Sequence, residues 1–155
     1  MQTYDLRQFV DLAPLARELD KQELRDAGIF IDEKELCYYR DCPWIVGIVG
    51  MEGTQFAGFA TLNLGESYWG RIKWNEFYLF PRFRRSKIGK QFYDAVLQVS
   101  GNRRLEAQVK GGNSAVGVLS HLGWKKEAEL ENYDGKGTSY IQLSYRRGVE
   151  EIING

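Results

Sequence analysis

Residues 72–100, with the sequence IKWNEFYLFPRFRRSKIGKQFYDAVLQVS, restrict the fold of this chain more than any other stretch. The first part is rich in β-branched and aromatic residues, which predicts a β-strand over Ile72–Phe80. Pro81 cannot donate to a sheet ladder, so the strand ends there. Beyond it, apolar residues recur at the spacing of one helix face, which predicts an amphipathic helix. The residues of that face are Ile88, Phe92, Ala95, Val96 and Val99.

The loop between this strand and this helix is strongly basic. Of the nine residues Arg82–Lys90, five are Lys or Arg and none is acidic. The first backbone N–H groups of a helix are unpaired and carry partial positive charge, to which the basic side chains add. Gly89 removes a Cβ from the first turn, where a ligand phosphate would approach. The pattern favours an anion-binding loop over the alternative, a solvated basic helix start.

This loop resembles a motif of a known enzyme family. The run Pro81-x-x-Arg84-x-x-Lys87-Ile88-Gly89-Lys90 is similar to the pyrophosphate-binding motif Arg/Gln-x-x-Gly-x-Gly/Ala of the GNAT superfamily of N-acetyltransferases. Arg84 and Gly89 match the ends of the motif, whereas Lys87 stands where its first glycine usually lies. The resemblance extends over about residues 44–145. It implies that acetyl-CoA binds here as a co-substrate, through Arg84, Arg85, Ser86, Lys87, Ile88, Gly89 and Lys90.

The resemblance also implies a fold. GNAT domains have a mixed α/β fold with a mostly antiparallel sheet of about six to seven strands and helices on both faces. Two central parallel strands splay apart and leave a V-shaped gap for the pantetheine arm of the cofactor. Here those strands would be Ile72–Phe80 and the alternating segment 104–109, which a helix separates. The backbone groups that bind the arm would come from Phe77, Tyr78, Leu79 and Phe80.

Local patterns predict the remaining elements. The length of 155 residues fits one domain over 1–155. A turn signal at 51–54 predicts a hairpin. The other predicted elements are a strand at Thr3–Arg7, a helix from about Asp11 with a proline in its first turn, a helix at Glu33–Tyr39, strands at 44–49 and 55–64, a helix at 113–122, strands at 125–133 and 138–146, and a polar tail at 148–155.

The segment Asn113–Trp124 is similar to the family's Asn…Ala…Tyr…Gly-Phe segment, and the resemblance adds Asn113 to the cofactor site. The segment is one residue shorter than usual between its Asn and its Gly. Many family members carry on this helix a tyrosine that protonates the departing thiolate. Counting from either end of the segment reaches Leu119 or Ser120 instead. Neither suits the task, because Leu has no proton to give and a Ser hydroxyl is a very weak acid.

Direct acetyl transfer to an amine needs a base, and a carboxylate can remove the ammonium proton. Glu76 is the only acidic residue of the predicted central strand, and family members often carry one near there. The alternative for Glu76 is a solvated side chain. In other members the working carboxylate lies further up the strand, where this chain has Lys73. For the acid, three explanations stay open: Tyr78 or Tyr133 reaches the sulfur from a strand, water protonates it, or catalysis has been lost.

Other reactive and aromatic residues are interpreted as structural. His121 is the only histidine and is predicted to lie on the surface. Cys37 and Cys42 have no histidine nearby in sequence, which predicts reduced thiols and neither a nucleophile nor a zinc site. Three aromatic residues could line an acceptor site, although core packing is the favoured interpretation. They are Tyr38, Tyr39 and Trp44.

Composition narrows the function further. Formal net charge is zero and a second basic stripe is not evident, which weighs against a nucleic-acid contact at Arg82–Lys90. The polar opening and the short apolar runs predict a cytoplasmic protein without a membrane span, and no metal site is expected. The sequence predicts an acetyl-CoA-dependent N-acetyltransferase with a small-molecule or protein amine as acceptor. The alternative is a module that binds acyl-CoA on the same fold, and a homodimer is compatible with either.

Overall fold

The computed structural model describes residues 1–146, and the tail predicted at 148–155 lies outside the described residues. The strands are β1 (Gln2–Asp5), β2 (Ile45–Glu52), β3 (Gln55–Asn63), β4 (Arg71–Leu79), β5 (Arg104–Lys110), β6 (Lys125–Leu130) and β7 (Tyr140–Tyr145). The α-helices are α1 (Ala13–Glu18), α2 (Lys21–Asp26), α3 (Glu33–Asp41), α4 (Lys87–Ser100) and α5 (Ala115–His121). Within this part of the chain, none of the helices has the length and apolar character needed to cross a membrane.

The strands form one sheet in the order β1-β2-β3-β4-β5-β7-β6. Every neighbouring pair is antiparallel except β4 and β5, which are parallel. Short connections join the antiparallel strands β2, β3 and β4, whereas the parallel pair needs α4 to carry the chain back. The predicted mixed, mostly antiparallel sheet with one parallel pair is confirmed.

Helices cover both faces of the sheet, as predicted. On one face, α1, α2 and α3 pack their leucines against alternate residues of the strands, among them Val49. On the other face, α4 packs against the intervening residues, among them Ile48. Phe92 of α4 is fully buried because Gly50 and Gly58, which pair across β2 and β3, leave room for its ring. A Cβ would lie 2.6 Å from that ring at Gly50 and 2.4 Å from it at Gly58.

The parallel pair separates soon after it begins. Only Arg71–Lys73 of β4 pairs with β5, although both strands continue well beyond this point. β4 also has a β-bulge at Asn75, the residue that its register with β3 skips. A bulge bends a strand and interrupts regular pairing. The result is a V-shaped gap between the later halves of β4 and β5.

The N-terminal part differs from the prediction in two places. The first strand ends at Asp5, because the Asp5 side chain accepts the N–H of Arg7 (2.8 Å) and caps a short 3₁₀ helix. The helix predicted from Asp11 is broken into α1 and α2. There Asp20 accepts the N–H of Glu23 (3.1 Å) and begins a new helix. The predicted proline does lie in the first turn of α1.

Candidate functional site

The basic loop leads into a capped helix start with free backbone donors. Ser86 is the N-cap of α4: its Oγ accepts the N–H of Gly89 (3.2 Å) and donates to the carbonyl of Phe83 (2.5 Å). The backbone N–H groups of residues 85–88 have no acceptor within the described chain. Arg85 has a φ of 53°, a left-handed conformation that turns the chain into the helix. Successive free N–H groups at a helix start form a site for an anion.

Protein groups neutralise part of the loop's positive charge. Lys90 pairs with Asp94 one turn later (2.7 Å), and Arg84 forms a two-pronged ion pair with Glu23 of α2. The Arg84 Nε also donates to the carbonyl of Leu79 (2.8 Å). Arg84 therefore ties the loop to β4 and α2, and its binding of a phosphate stays a prediction. Within residues 1–146, the exposed loop cations without an ion pair are Arg82, Arg85 and Lys87.

Gly89 has a packing role that the sequence did not show. It is buried, and a Cβ there would lie 2.6 Å from the carbonyl oxygen of Phe83 and 3.2 Å from Cδ1 of Leu79. The missing side chain therefore lets α4 approach its own loop, and the predicted approach of a phosphate at Gly89 stays a prediction. Lys87, at the place of the family's usual first glycine, is exposed on the first turn of the helix.

Two of the four residues predicted to line the gap direct their backbone groups into it. The N–H of Phe80 donates to the carbonyl of Ala57 (3.0 Å), so Phe80 faces β3. Because backbone groups alternate sides along a strand, Tyr78 also faces β3, while Phe77 and Leu79 face the gap. The Leu79 carbonyl already accepts from the loop arginine. On the β4 side, the groups free to bind a ligand in the gap are therefore the N–H and carbonyl of Phe77 and the N–H of Leu79.

Glu76 lies where the two strands part, directly beyond the bulge. Two hydroxyl groups donate to its carboxylate: that of Tyr39 in α3 to Oε1 (3.1 Å) and that of Thr61 in β3 to Oε2. Thr61 is fully buried and pairs with Glu76 across the sheet. Each carboxylate oxygen keeps a further lone pair, so the group can still accept a proton from a ligand or from water. Glu76 is thus a held, partly buried carboxylate and not the solvated side chain of the alternative interpretation.

Burial raises the pKa of Glu76 to about 7, well above that of an exposed Glu. The hydrogen bond from Tyr39 and the charge of Lys73 act in the opposite direction, and the carboxylate of Glu35 adds to the rise. A carboxylate with a pKa near neutrality is suited to exchange a proton with an amine near pH 7. Lys73 does not suit the role of a base, but its positive charge lowers the pKa of Glu76.

Tyr39 is one of the three aromatic residues that the sequence offered as possible lining of an acceptor site, with core packing as the favoured interpretation. It packs against the core, and its hydroxyl also donates to Glu76; burial, together with the Glu76 charge, raises the pKa of Tyr39 so that it remains a donor. Core packing is wrong for Tyr38 and Trp44, whose side chains are 56% and 54% exposed. The signal for Tyr39 was its place one turn after Leu36, on the buried face of α3.

Gln108 and Tyr133 lie on the other side of the gap from Glu76. Gln108 is two residues beyond Glu106, the last residue of β5 that pairs with β4, which is about the height of Glu76. The Tyr133 hydroxyl donates to Gln108 (2.9 Å), Gln108 donates to Gln142 (3.0 Å), and Gln142 donates to Glu106 (3.0 Å). All these side chains lie on the sheet face of α1–α3, because the intervening residues of β5 and β7 pack beneath α4.

The two tyrosines proposed as acids differ in accessibility. Tyr78 is 5% exposed, packs against Phe80 beneath the guanidinium of Arg84, and accepts the N–H of Asp20 (3.4 Å). Tyr133 is 49% exposed and lies in the connection after β6, beyond the end of that strand. A ligand can therefore reach Tyr133, whereas Tyr78 belongs to the core beneath α1 and α2.

Aromatic residues fill the α4 side of the sheet below the gap. Trp74 stacks on Phe77 with 5.6 Å between ring centroids and meets Trp124 edge-on at 5.2 Å. The Trp124 indole N–H donates to the hydroxyl of Tyr93 (2.9 Å). The gap thus has an apolar floor on the α4 side and a polar mouth, with Glu76 and its partners, on the other.

The remaining residues named from the sequence make local contacts, and the cofactor role of Asn113 stays a prediction. Asn113 accepts a backbone N–H of the first turn of α5 (2.8 Å), and that helix carries Leu119 and Ser120 at the positions considered for a tyrosine. His121 is exposed, as predicted, and both cysteines are free thiols. Residues 1–146 contain no group of three or more His, Cys, Asp or Glu side chains arranged to hold a metal ion.

No protein-family model and no curated protein matches the sequence. Solved structures share the fold. A chimera of the spermidine N-acetyltransferase SpeG from Vibrio cholerae and hSSAT has a TM-score of 0.75 at 14% identity, with 100% of both chains covered. A ribosomal-protein-alanine N-acetyltransferase from Brucella melitensis has a TM-score of 0.69 at 14% identity, covering 94% of this chain and 99% of that one. An aminoglycoside N-acetyltransferase complexed with coenzyme A has a TM-score of 0.68 at 13% identity, covering 94% and 97%.

Proposed function

Because the chain has the fold of the GNAT N-acetyltransferases, we propose that it transfers the acetyl group of acetyl-CoA to a primary amine by direct attack. The observation that carries this proposal is Glu76, a held carboxylate with a pKa of about 7 at the point where β4 and β5 part. A base matched to an amine and a gap that accepts an extended chain are the two features that this reaction requires.

The residues of the loop and the gap fit acetyl-CoA. The free N–H groups of residues 85–88 and the exposed cations Arg85 and Lys87 suit a pyrophosphate. The free backbone groups of Phe77 and Leu79 suit the amides of a pantetheine arm, which would lie against the apolar floor of the gap. Acetyl-CoA supplies an acyl group that is activated as a thioester.

Glu76 is proposed as the base. An amine attacks only when neutral, so the ammonium proton must first pass to Glu76, directly or through water. The new C–N bond then forms at the acyl carbon while the C–S bond breaks. The attacking nitrogen loses its second proton to water as it becomes an amide, and the thiolate takes up a proton. Tyr39 and Thr61 hold the carboxylate in one orientation during these steps.

Tyr133 is the proposed source of the proton for the thiolate. A phenol has a pKa of about 10 and is better matched to a thiol than an alcohol is. Tyr133 is accessible where Tyr78 is enclosed, and its hydroxyl needs only to exchange Gln108 for the sulfur as its acceptor. We expect Tyr133→Phe to lower turnover at least about tenfold at unchanged acetyl-CoA affinity. Little effect from Tyr133→Phe would leave water as the donor.

A panel of amines tests which acceptor the protein uses. The panel contains spermidine, an aminoglycoside and a peptide with an N-terminal alanine, the acceptor types named for the three structural neighbours. Calorimetry measures acetyl-CoA binding, which we expect at roughly micromolar affinity, and release of free thiol measures turnover. Absence of acetyl-CoA binding by the unaltered protein would overturn the proposed function.

The variant Glu76→Gln separates catalysis from binding. We expect unchanged acetyl-CoA affinity and turnover lowered by on the order of 100-fold, with a smaller deficit at higher pH, where more amine is already neutral. Glu33→Gln is the matched control, because Glu33 is an exposed carboxylate of α3 that lacks the hydrogen bonds of Glu76 and is not among the groups that shift its pKa. Equal turnover of Glu76→Gln and the unaltered protein at every pH would move the base elsewhere.

A module that holds acyl-CoA without turning it over is the second candidate. The observation that favours it is α5, which carries Leu119 and Ser120 where many GNAT enzymes carry the acidic tyrosine. Tight acetyl-CoA binding without thiol release from any amine of the panel would support this module and contradict the enzyme.

A further inference from the structure

A concave surface rich in arginine lies at the closed end of β4 and β5, away from the candidate active site. This open cavity has a volume of ≈ 630 Å³ and lies where the turn before β4, the turn before β5 and the end of β7 meet. None of its lining residues is acidic. We call it the arginine basin, and its side chains are those of Trp69, Arg71, Asn102, Arg103, Arg104 and Arg146.

Carboxylates outside the lining hold two of the four arginines in place. Arg71 pairs with Glu66 (3.1 Å), and Arg104 pairs with Glu127 and with Glu106 (3.5 Å). Such pairs fix the direction of a guanidinium and leave its remaining N–H groups to point elsewhere. The Nε of Arg71 is buried and has no hydrogen-bond acceptor in the described chain, with the nearest carboxylate oxygen, that of Glu106, at 3.8 Å.

The other two arginines have no carboxylate partner within the part of the chain that the structure describes. Arg103 and Arg146 are exposed, and neither forms an ion pair within residues 1–146. Arg103 precedes β5 and Arg146 follows β7, and the antiparallel pairing of these two strands brings them together. Guanidinium groups gathered in this way repel one another unless an anion lies between them, and their planar donors match phosphate oxygens in pairs.

A flat apolar surface borders this charge. Trp69 lines the basin, its side chain is 71% exposed, and the ring of Tyr68 supports it edge-on at 5.1 Å between centroids. Solvent-exposed Trp beside Arg is a combination that binds planar rings by stacking. The basin therefore combines donors for an anion with a platform for a ring.

We propose that the arginine basin binds a small ligand in which a phosphate group is joined to a flat ring, the chemistry of a nucleotide. The phosphate lies between Arg103 and Arg146, with Arg71 and Arg104 behind it, and the ring lies on Trp69. This site is distinct from the basic loop, because the basin adjoins the first residue of β4 and the loop follows its last. Over the length of β4 that separation is about 26 Å.

Calorimetric titrations of guanosine diphosphate and of inorganic pyrophosphate test the site. Two double variants with the same change in net charge locate the binding: Arg103→Ala/Arg146→Ala in the basin and Arg85→Ala/Lys87→Ala in the basic loop. We expect the basin variant to lose at least about tenfold in affinity for both probes, and the loop variant to keep at least one site of unaltered affinity. All four side chains are exposed without ion pairs in the described chain, so the variants should fold, which thermal unfolding checks.

Trp69→Ala tests the platform. We expect it to lower the affinity for guanosine diphosphate roughly tenfold and to leave the affinity for pyrophosphate unchanged, because only the nucleotide has a ring. Unchanged affinities in the basin variant would overturn the proposal, as would loss of all binding in the loop variant. Tighter binding of pyrophosphate than of guanosine diphosphate by the loop variant, in which the basin is unaltered, would overturn the role of Trp69 and the nucleotide chemistry with it.

Discussion

Glu76 is held by two neutral donors and carries a pKa near neutrality, a combination in which orientation and ionisation are set by different partners. Burial favours the protonated form, and the hydroxyl of Tyr39 favours the carboxylate. Thr61, from the neighbouring strand, fixes the second oxygen. Removing one donor should therefore change the pKa of Glu76 and leave the fold intact.

Tyr39→Phe removes the donor and keeps the ring. Because this hydrogen bond lowers the pKa of Glu76, its loss should raise that pKa above about 7. The acidic limb of kcat/KM should then move to higher pH by about one unit, the worth of one hydrogen bond to a charged group. The measurement is the pH profile of turnover with one amine, compared with the unaltered protein so that ionisation of the amine cancels.

Tyr38→Phe is the matched control for this prediction, since Tyr38 is the exposed neighbour of Tyr39 on α3. Its pH profile should not move. A loss of activity in Tyr39→Phe that is equal at all pH values would mean that Tyr39 only supports packing. The prediction therefore separates a positioning role from a structural one.

At the residue scale, the sequence pointed to Glu76 as a candidate base but did not show which residues contact it. Glu76 could be singled out because it is the only acid on a strand that precedes a recognisable loop. Its hydrogen bond with Tyr39 could not be predicted, because the contact joins residues 37 positions apart and depends on how α3 lies over the sheet. The ion pair of Arg84 could not be predicted for the same reason, since Glu23 is 61 positions away.

At the scale of the element, the start of α4 depends on the absence of a side chain at Gly89. A Cβ would lie 2.6 Å from a backbone oxygen, which cannot rotate away. Gly89→Ala should lower the free energy of unfolding by about 1–3 kcal/mol. It should also weaken the binding of acetyl-CoA, because the loop must move away from the helix to make room for the Cβ. Chemical denaturation and calorimetry measure the two effects.

Gly117 of α5 is the control for Gly89, because it also lies in a helix but a Cβ there would meet nothing within 4 Å. Gly117→Ala should raise stability by up to about 1 kcal/mol through helix propensity. Equal effects of the two substitutions would contradict the packing role of Gly89.

Elements with long, regular patterns could be predicted from the sequence, and short irregular ones could not. The stripe of α4 and the alternation of β5 persist over whole elements, so their type was clear. Between α1 and α2 the apolar spacing continues through Leu19, which hides the break that Asp20 makes by capping a second helix. The bulge at Asn75 leaves no pattern at all, because it depends on pairing with β3.

For the molecule as a whole, the raised pKa of Glu76 makes stability depend on pH. The folded pKa of about 7 lies above that of an exposed Glu, so the folded state keeps its proton after the unfolded state has lost it. Stability should therefore be highest below pH 4.5 as far as this group is concerned, and fall as pH rises through 7. The loss is at most about 3 kcal/mol.

Glu76→Gln should remove this dependence. The difference in unfolding free energy between the variant and the unaltered protein, measured by denaturant titration, should grow between about pH 4.5 and 7 in favour of the variant. Other carboxylates contribute equally to both proteins and cancel. A difference that stays constant across this range would show that folding does not raise the pKa of Glu76.

The separation of β4 and β5 gives the sheet two additional edges in its interior. The outer strand β6 carries Lys125, Lys126, Glu127 and Glu129, and charges along an edge discourage the addition of strands from another molecule. On the β4 side, the inner edge presents Phe77 and Leu79, which carry no charge. Within residues 1–146, the helices over the two faces limit what can enter between these edges. A ligand that fills the gap would therefore protect the protein from aggregation as well as take part in its chemistry.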